Sequence, residues 1–220
     1  MSKYEQKKMC EIGSAILTCA ISCRSGTQDY RLRRIIFPHI KANRLHERQI
    51  GLIKQYYDDE WKNFALVLWE NGDLKNAEQL EVQVIDMRKK LFGAEHPNTL
   101  TIMANLASTY RNQGRLNEAE QLQIQVMDMK KKLLGAEHPN TLNSMVNLAN
   151  TYWNQGRLNE AEKLHIQVMD MRKKLLGTEH PLTLNSMASL ASTYRNQGRI
   201  HESEKLVLEV MNIKTRKGRN

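Results

Sequence analysis

The chain repeats itself with a period of 42 residues, and this periodicity limits the possible folds more than any other feature. Gly93, Gly135 and Gly177 open three copies, which begin GAEHPNTL, GAEHPNTL and GTEHPLTL. A more divergent copy precedes them, from about residue 58 to residue 92. Repeats of about 20 to 50 residues form stacked arrays, because each unit can bury its apolar surface only against its neighbours. The sequence therefore predicts a stack of similar units.

Each copy should contain two helices, which makes the chain all-α. The first helix should begin at the His-Pro pair, since proline at the first helical position loses no hydrogen bond. It should end at the sequence NQG, whose glycine permits the turn. The second helix should bury one apolar stripe, and the regularly spaced methionines should lie in the core. In the third copy the stripe comprises Leu158, Ala161, Leu164, Val168 and Met171.

The copies share the pattern Leu-Ala-x-x-Tyr, then Gly, then Glu-Ala-Glu-x-Leu. In the third copy these residues are Leu148, Ala149, Tyr152, Gly156, Glu160, Ala161, Glu162 and Leu164. The pattern resembles the tetratricopeptide repeat, in the 42-residue form typical of kinesin light chains, and the resemblance covers about residues 58–213. It implies an α-solenoid, a right-handed superhelix of helix pairs whose concave groove binds extended or helical peptides. We expect four repeats (58–92, 93–134, 135–176 and 177–214), preceded by a helical capping segment (1–57) and followed by a basic tail (215–220).

The capping segment does not repeat. Its run Ile36-Phe37-Pro38-His39-Ile40 resembles the linker of NB-ARC signalling proteins, which joins an ATPase module to a tetratricopeptide sensor. This resemblance implies association with a nucleotide-switched ATPase module. The chain does not contain the long heptad segment by which kinesin light chains join the motor. A cargo adaptor of the kinesin-light-chain type is therefore kept only as an alternative.

The net charge of +9 is carried by the two ends of the chain. Residues 1–50 hold ten basic and four acidic residues, and residues 211–220 add four basic residues and no acid. The remaining residues are almost neutral, with 19 basic and 20 acidic side chains. A nucleic-acid-binding helical repeat protein that uses the basic ends is a further alternative, and its binding would weaken steeply with salt. The basic character thus belongs to the ends and not to the body, and we expect a protein partner and not nucleic acid.

The cysteines and the longest apolar run help to place the chain in a compartment. Cys10, Cys19 and Cys23 are odd in number and all lie near one end, which does not indicate a disulfide framework. They also lack the spacing of a zinc site. The longest apolar run, IGSAILTCAIS, is too short to span a bilayer. We expect a cytoplasmic protein with reduced thiols and no membrane contact.

The near-identity of the copies makes their differences informative. The second and third copies differ at eight of 42 positions, and five of these lie on the first helix: Thr101/Asn143, Ile102/Ser144, Ala104/Val146, Ser108/Asn150 and Arg111/Trp153. Between residues 141 and 156, the third copy differs from the fourth only at Val146, Asn147, Asn150 and Trp153. These four positions form one narrow helix face.

In a tetratricopeptide repeat this face lines the groove, so the copies differ where a ligand would bind. Random drift would also scatter changes over the solvated side of the second helix. The mild differences Gln121/Lys163, Gln123/His165 and Lys130/Arg172 are assigned to that side. The predicted peptide-binding residues are Asn63, Asn105, Ser108, Arg111, Asn143, Asn147, Asn150, Trp153, Ser189, Ser192 and Arg195.

These residue types indicate what the ligand should contain. Asparagine amides both donate and accept hydrogen bonds, which suits the backbone of a bound peptide. Trp69 and Trp153 are flat apolar anchors of the kind enriched in binding hot spots, and the arginines add positive charge. We therefore expect a protein or peptide ligand with an acidic residue and an aromatic or aliphatic residue.

No motif indicates catalysis. His96, His138 and His180 each precede a proline at a helix start, which favours helix capping over metal binding. The acid pairs Glu118/Glu120, Glu160/Glu162 and Glu202/Glu204 are read as solvated helix charges. Neither a phosphate-binding glycine loop nor a nucleophile motif occurs in the sequence. The sequence predicts a non-catalytic scaffold or sensor in a signalling or adaptor system, with no cofactor and no metal site.

Overall fold

The computed structural model describes residues 65–217. The predictions for residues 1–57, for Asn63 and for the end of the tail lie outside this range. The chain divides into two compact units between Gln113 and Gly114. This division falls between the two helices of the second repeat.

In the first unit, the described residues include the second helix of the first repeat and the first helix of the second repeat. Residues 65–70 are helical and lead into helix α1 (Leu74–Phe92), which is followed by helix α2 (Pro97–Asn112). Helix α1 packs against α2. Ala77, Leu80 and Val84 of α1 are fully buried.

The second unit contains five helices. They are α3 (Leu116–Leu134), α4 (Pro139–Asn154), α5 (Leu158–Leu176), α6 (Pro181–Asn196) and α7 (Ile200–Lys217). Each helix packs against the next one along the chain. Every regular element between residues 65 and 217 is a helix, so the predicted all-α fold class is confirmed. No helix among these residues is both long and apolar enough to cross a membrane.

The predicted start and end signals of the helices are confirmed. The Nδ1 atoms of His96, His138 and His180 accept hydrogen bonds of 3.2, 3.1 and 3.1 Å from the backbone N–H two residues later. Each histidine therefore caps a helix whose first residue is proline. The turn after α4 needs a positive φ of 75° at Gly156, which glycine adopts without strain.

The core of the second unit is built where the two helices of one repeat meet, and the second helix of the preceding repeat packs against it. Leu142 and Met145 of α4 cluster with Val168 of α5, and Met127 of α3 packs against this cluster. Leu184 and Met187 of α6 cluster with Val210 of α7 in the same way, and Met169 of α5 packs against them. The corresponding methionine of α7, Met211, is 57% exposed. Met211 is therefore an exception to the prediction that the methionines lie in the core.

Candidate functional site

Helix α4 presents a polar stripe with an aromatic residue at its edge. Asn143 is exposed, Asn147 and Asn150 are half-buried, and the Trp153 side chain is 38% exposed. The first three residues are spaced i, i+4 and i+7, so they share one face of the helix. The opposite side of α4 is buried in the core through residues such as Leu148 and Ala149. The packing of one side thus fixes the orientation of the other.

The three asparagines of α4 are not equally available. The side-chain carbonyl of Asn143 accepts a hydrogen bond of 2.8 Å from Nη2 of Arg172. Asn147 and Asn150 make no side-chain hydrogen bond within residues 65–217. Asn147 and Asn150 are therefore the amides that can bind the backbone of a ligand without first breaking a contact of the protein.

Helix α6 carries the corresponding stripe of the last repeat with smaller side chains. Ser189 is half-buried, and its hydroxyl donates to the backbone oxygen of Asn185 over 3.1 Å. Ser192 and Arg195 are exposed. The stripe of α6 therefore differs from that of α4 in ending with a positive charge instead of an indole.

In the first unit, the equivalent stripe lies on α2. Asn105 is exposed and Ser108 is half-buried, with its hydroxyl donating to the backbone oxygen of Ala104 over 3.2 Å. Arg111 is half-buried, and burial lowers the pKa of its guanidinium. Its buried Nη1 atom makes no hydrogen bond, and neither does the buried Nε1 atom of Trp69. Trp69 is therefore less available to a ligand than Trp153.

Of the three differences on the second helices, Gln121/Lys163 is exposed as predicted, but the prediction of a solvated position was wrong for the other two. Gln123 and His165 are only 2% and 3% exposed. Each occupies a position four residues after a buried alanine and three before a buried valine, which already places it on the buried face. The alanines and valines concerned are Ala119, Val126, Ala161 and Val168.

These buried polar residues make one hydrogen bond per repeat to a threonine of the following first helix. Thr109 donates to Glu81 over 2.8 Å, and Thr151 donates to Gln123 over 2.7 Å. The Nδ1 atom of His165 lies 3.1 Å from the hydroxyl of Thr193. We call these three pairs the buried joints. Each joint pairs a buried polar residue of a second helix with a threonine of the next first helix, but the polar residue differs from joint to joint.

Burial perturbs the two ionisable residues of the joints in opposite directions. Burial raises the pKa of Glu81 to about 7, although the hydrogen bond from Thr109 acts against this. Burial lowers the pKa of His165 to about 4. Its Nε2 atom is buried without a hydrogen bond, as is the Nε2 atom of Gln123. Both shifts follow from the cost of holding a charge away from water.

The third difference, Lys130/Arg172, also concerns the contact between repeats. Arg172 is 6% exposed. Its Nη1 atom donates to the backbone oxygen of Leu182 over 3.1 Å and to the hydroxyl of Ser186 over 2.8 Å. Together with its bond to Asn143, this arginine links the first helix of its own repeat to that of the next.

Glu202 and Glu204 are both exposed, as predicted, but the other two acid pairs are only half solvated, which corrects the sequence prediction for them. The side chains of Glu118 and Glu160 are 50% and 44% exposed, as expected, but those of Glu120 and Glu162 are each 19% exposed. Each of these two partly buried carboxylates accepts 2.8 Å hydrogen bonds from a glutamine and an arginine of the next repeat's turn. The donors are Gln155 and Arg157 for Glu120, and Gln197 and Arg199 for Glu162.

Comparison with known families and structures agrees with this architecture. The tetratricopeptide repeat model matches residues 59–132, 104–174 and 141–216, which together span more than half of the chain. No curated protein matches significantly.

Three solved structures illustrate the similarity. A Podosopora anserina protein assigned as a kinesin light chain, with nearly identical TPR-like repeats, is 28% identical; 87% of this chain aligns with 95% of it at a TM-score of 0.71. BtubC (BKLC) from P. vanneervenii is 16% identical, with 99% and 88% coverage and a TM-score of 0.71. A signal transduction ATPase with a tetratricopeptide repeat sensor, from Pyrococcus horikoshii, is 12% identical at a TM-score of 0.67. The alignment covers 98% of this chain but only 31% of that ATPase chain.

Proposed function

This chain belongs to the tetratricopeptide repeat family, and we propose that it is a non-catalytic scaffold that binds a protein or peptide ligand. The binding surface is the exposed face of its first helices, which in the second unit comprises the stripes of α4 and α6.

One observation carries this proposal. Helices α4 and α6 bury the same residue types at corresponding positions, including Leu142 and Leu184 and also Met145 and Met187. Their exposed stripes differ, with Asn147 and Trp153 on α4 replaced by Ser189 and Arg195 on α6. Varied surface on a rigid scaffold is where binding specificity resides.

The chemistry of the stripes suggests the ligand. Asn147 and Asn150 offer amides that are free to hydrogen-bond to a peptide backbone, whatever its sequence. The partly exposed indole of Trp153 offers an apolar contact, and Arg195 offers a positive charge. The ligand we propose is a segment that carries an aromatic or aliphatic residue together with an acidic residue.

A role as the sensor of a larger signalling assembly is the cellular context that we propose. The similarity to an ATPase with a tetratricopeptide repeat sensor supports it at the level of the fold. In such an assembly, ligand binding on the repeats would be transmitted to a nucleotide-switched module. The alternative of a cargo adaptor has the similarity to a protein assigned as a kinesin light chain in its favour.

Replacing both Asn147 and Trp153 with alanine should weaken ligand binding at least tenfold. The change removes a backbone clamp and an apolar anchor, and tenfold corresponds to about 1.4 kcal/mol. The ligand is first captured from a lysate on the native chain, in the presence of nuclease, and its affinity for native and variant chains is then measured by titration.

The matched control is Gln167→Ala, which removes an exposed polar side chain from α5, outside the stripes. This control should bind the ligand as the native chain does. Equal affinity of the double variant and the native chain would refute the proposed surface. Capture that disappears with nuclease, and whose affinity falls steeply between low and moderate salt, would instead indicate a nucleic-acid binder.

A further inference from the structure

We propose that Asn143 and Arg172 form a subsite that binds a carboxylate of the peptide ligand. The inference rests on the proposed function and deepens it, because it assigns the acidic group of the ligand to one place on the stripe of α4. In this subsite the amide nitrogen of Asn143 donates to the carboxylate. The guanidinium of Arg172 lies behind the amide and acts on the ligand through it, as a positioning residue.

The contact between the two side chains fixes the orientation of the Asn143 amide. Nη2 of Arg172 lies 2.8 Å from this amide. A guanidinium only donates, so the amide atom that faces it must be the oxygen. The nitrogen of Asn143 then points away from Arg172, on an exposed residue, and makes no hydrogen bond within residues 65–217. Asn143 therefore presents only donors to a ligand, whereas Asn147 and Asn150 can each present a donor and an acceptor.

Arg172 is a buried positive charge whose partners are all neutral. It is 6% exposed, and it donates to the oxygens of Asn143, Leu182 and Ser186. No acidic residue of the described range 65–217 forms an ion pair with it, and burial lowers the pKa of its guanidinium. A buried charge without a counter-charge is costly, and an anion bound nearby reduces this cost. The hydrogen bond from Arg172 also polarises the amide and strengthens its N–H donors. The site therefore favours a carboxylate over a neutral carbonyl.

The second repeat lacks both parts of this arrangement. Its residues at the two positions are Thr101 and Lys130, and both positions belong to the eight differences between the second and third copies. The hydroxyl of Thr101 donates to the backbone oxygen of Pro97 over 2.8 Å. The ammonium of Lys130 makes no hydrogen bond to any residue between 65 and 217. Two of the eight differences are thus in contact in the third repeat, where they create one site together.

A library of random peptides displayed on phage tests this inference on the full-length chain. Peptides selected by the native chain should carry aspartate or glutamate at one fixed position more often than the unselected library. In a synthetic copy of the best peptide, replacing this residue by its amide should weaken binding about tenfold, or about 1.4 kcal/mol. The copy is made with a free and with an amidated C-terminus. Equal affinity identifies a side chain as the source of the carboxylate, and binding that requires the free end identifies the chain terminus.

Asn143→Asp is the decisive variant. The new carboxylate keeps an oxygen for Arg172, supplies the missing negative charge and removes the donor nitrogen. The melting temperature of the free chain should therefore rise by about 3 °C, while the acidic peptide should bind about tenfold more weakly. A contact with a purely structural role would give the first result without the second. A peptide with lysine at the acidic position should bind Asn143→Asp more tightly than it binds the native chain.

Two further variants complete the test. Gln167→Glu adds a carboxylate to the exposed side of α5, outside the stripes, and should change neither the melting temperature nor the affinity. Arg172→Met removes the charge and frees the Asn143 amide to turn. Peptides selected by this variant should show no preference for an acidic residue, and circular dichroism checks that its helix content is unchanged.

Two results would overturn the inference. The first is a set of selected peptides without an acidic preference, or with one that persists in both Asn143→Asp and Arg172→Met. The second is a preference that is lost with Arg195→Ala but kept in Asn143→Asp, since the carboxylate would then bind Arg195.

The proposed function is tested separately with the same peptides. Peptides that lose affinity for the Asn147→Ala and Trp153→Ala chain but ignore Asn143→Asp would refute the subsite and leave the proposed function standing. Peptides that ignore all of these changes, or a selection that yields no peptide, would refute the proposed function and the subsite together.

Discussion

Replacing Glu81 with glutamine should stabilise the protein by about 2 kcal/mol at pH 8 and destabilise it slightly at pH 4. Glu81 is 3% exposed, and burial raises the pKa of its carboxyl from the ordinary value of 4.5 to about 7. A shift of this size corresponds to about 3 kcal/mol. Glutamine keeps the acceptor for Thr109 and removes the charge. It also buries an amide N–H without a partner, as at Gln123, and this cost offsets about 1 kcal/mol of the gain in stability.

The direction of the pH dependence follows from proton binding. Between pH 4.5 and about 7 the folded protein holds a proton on Glu81 that the unfolded chain releases. Stability therefore falls as the pH rises through this window and stays low above it. Denaturant unfolding of the native chain and of Glu81→Gln across pH 4 to 8 measures the free energy of unfolding. The variant should not show the fall in stability between pH 4.5 and about 7.

The second buried joint supplies the matched control for this experiment. Gln123 occupies in α3 the position that Glu81 occupies in α1, and it accepts the same hydrogen bond from a threonine. Gln123→Glu should therefore introduce a second fall in stability with rising pH and lower the stability above pH 7 by about 2 kcal/mol. Parallel pH profiles of Glu81→Gln and the native chain would show that Glu81 is not the source of the pH dependence.

The sequence predicted the helices well because their ends depend on local chemistry. Proline at the first position and glycine in the turn act within a few residues, and the bounds of α2, Pro97–Asn112, follow from them. The capping role of His96 has the same local origin. The period of 42 residues then repeats each correct assignment along the chain.

What the sequence reading missed depends on contacts between repeats. Glu120 and Glu118 are two residues apart and chemically identical, but only Glu120 lies within reach of the next turn. The burial of His165 follows from its spacing from Ala161 and Val168, but its contact with Thr193 depends on the next helix. The availability of Asn143 could not be predicted either, since Arg172 lies 29 residues away in the sequence.

The eight differences between the second and third copies therefore do not all lie on the proposed binding surface. Changes such as Ser108/Asn150 and Arg111/Trp153 alter the exposed stripe, which is the surface proposed to bind a ligand. Changes such as Gln123/His165 alter the buried joints instead.

His165→Gln should remove a loss of stability that the native chain suffers in acid. Burial lowers the pKa of His165 from its ordinary value of 6.5 to about 4. Between these two values the unfolded chain binds a proton that the folded chain excludes, so the native stability falls as the pH decreases from 6.5 to 4. The loss should reach about 3 kcal/mol at pH 4. Glutamine at this position does not titrate, and Gln123 with Thr151 shows that it fits the same joint.

The reverse exchange, Gln123→His, tests whether the joint itself and not the surroundings of α5 sets this behaviour. This variant should add a second loss of stability of similar size between pH 6.5 and 4. The reason is that the imidazole would be buried against Thr151 as His165 is against Thr193. Hydrogen exchange at pH 5 should then show faster opening in α3 and α4, whereas His165→Gln should slow it in α5 and α6. If the native chain and His165→Gln lose stability equally between pH 6.5 and 4, then His165 titrates normally in the fold, which requires water to reach its ring. Its burial between the two helices would then be incomplete, and the position would act as a hydrated hinge and not as a dry joint.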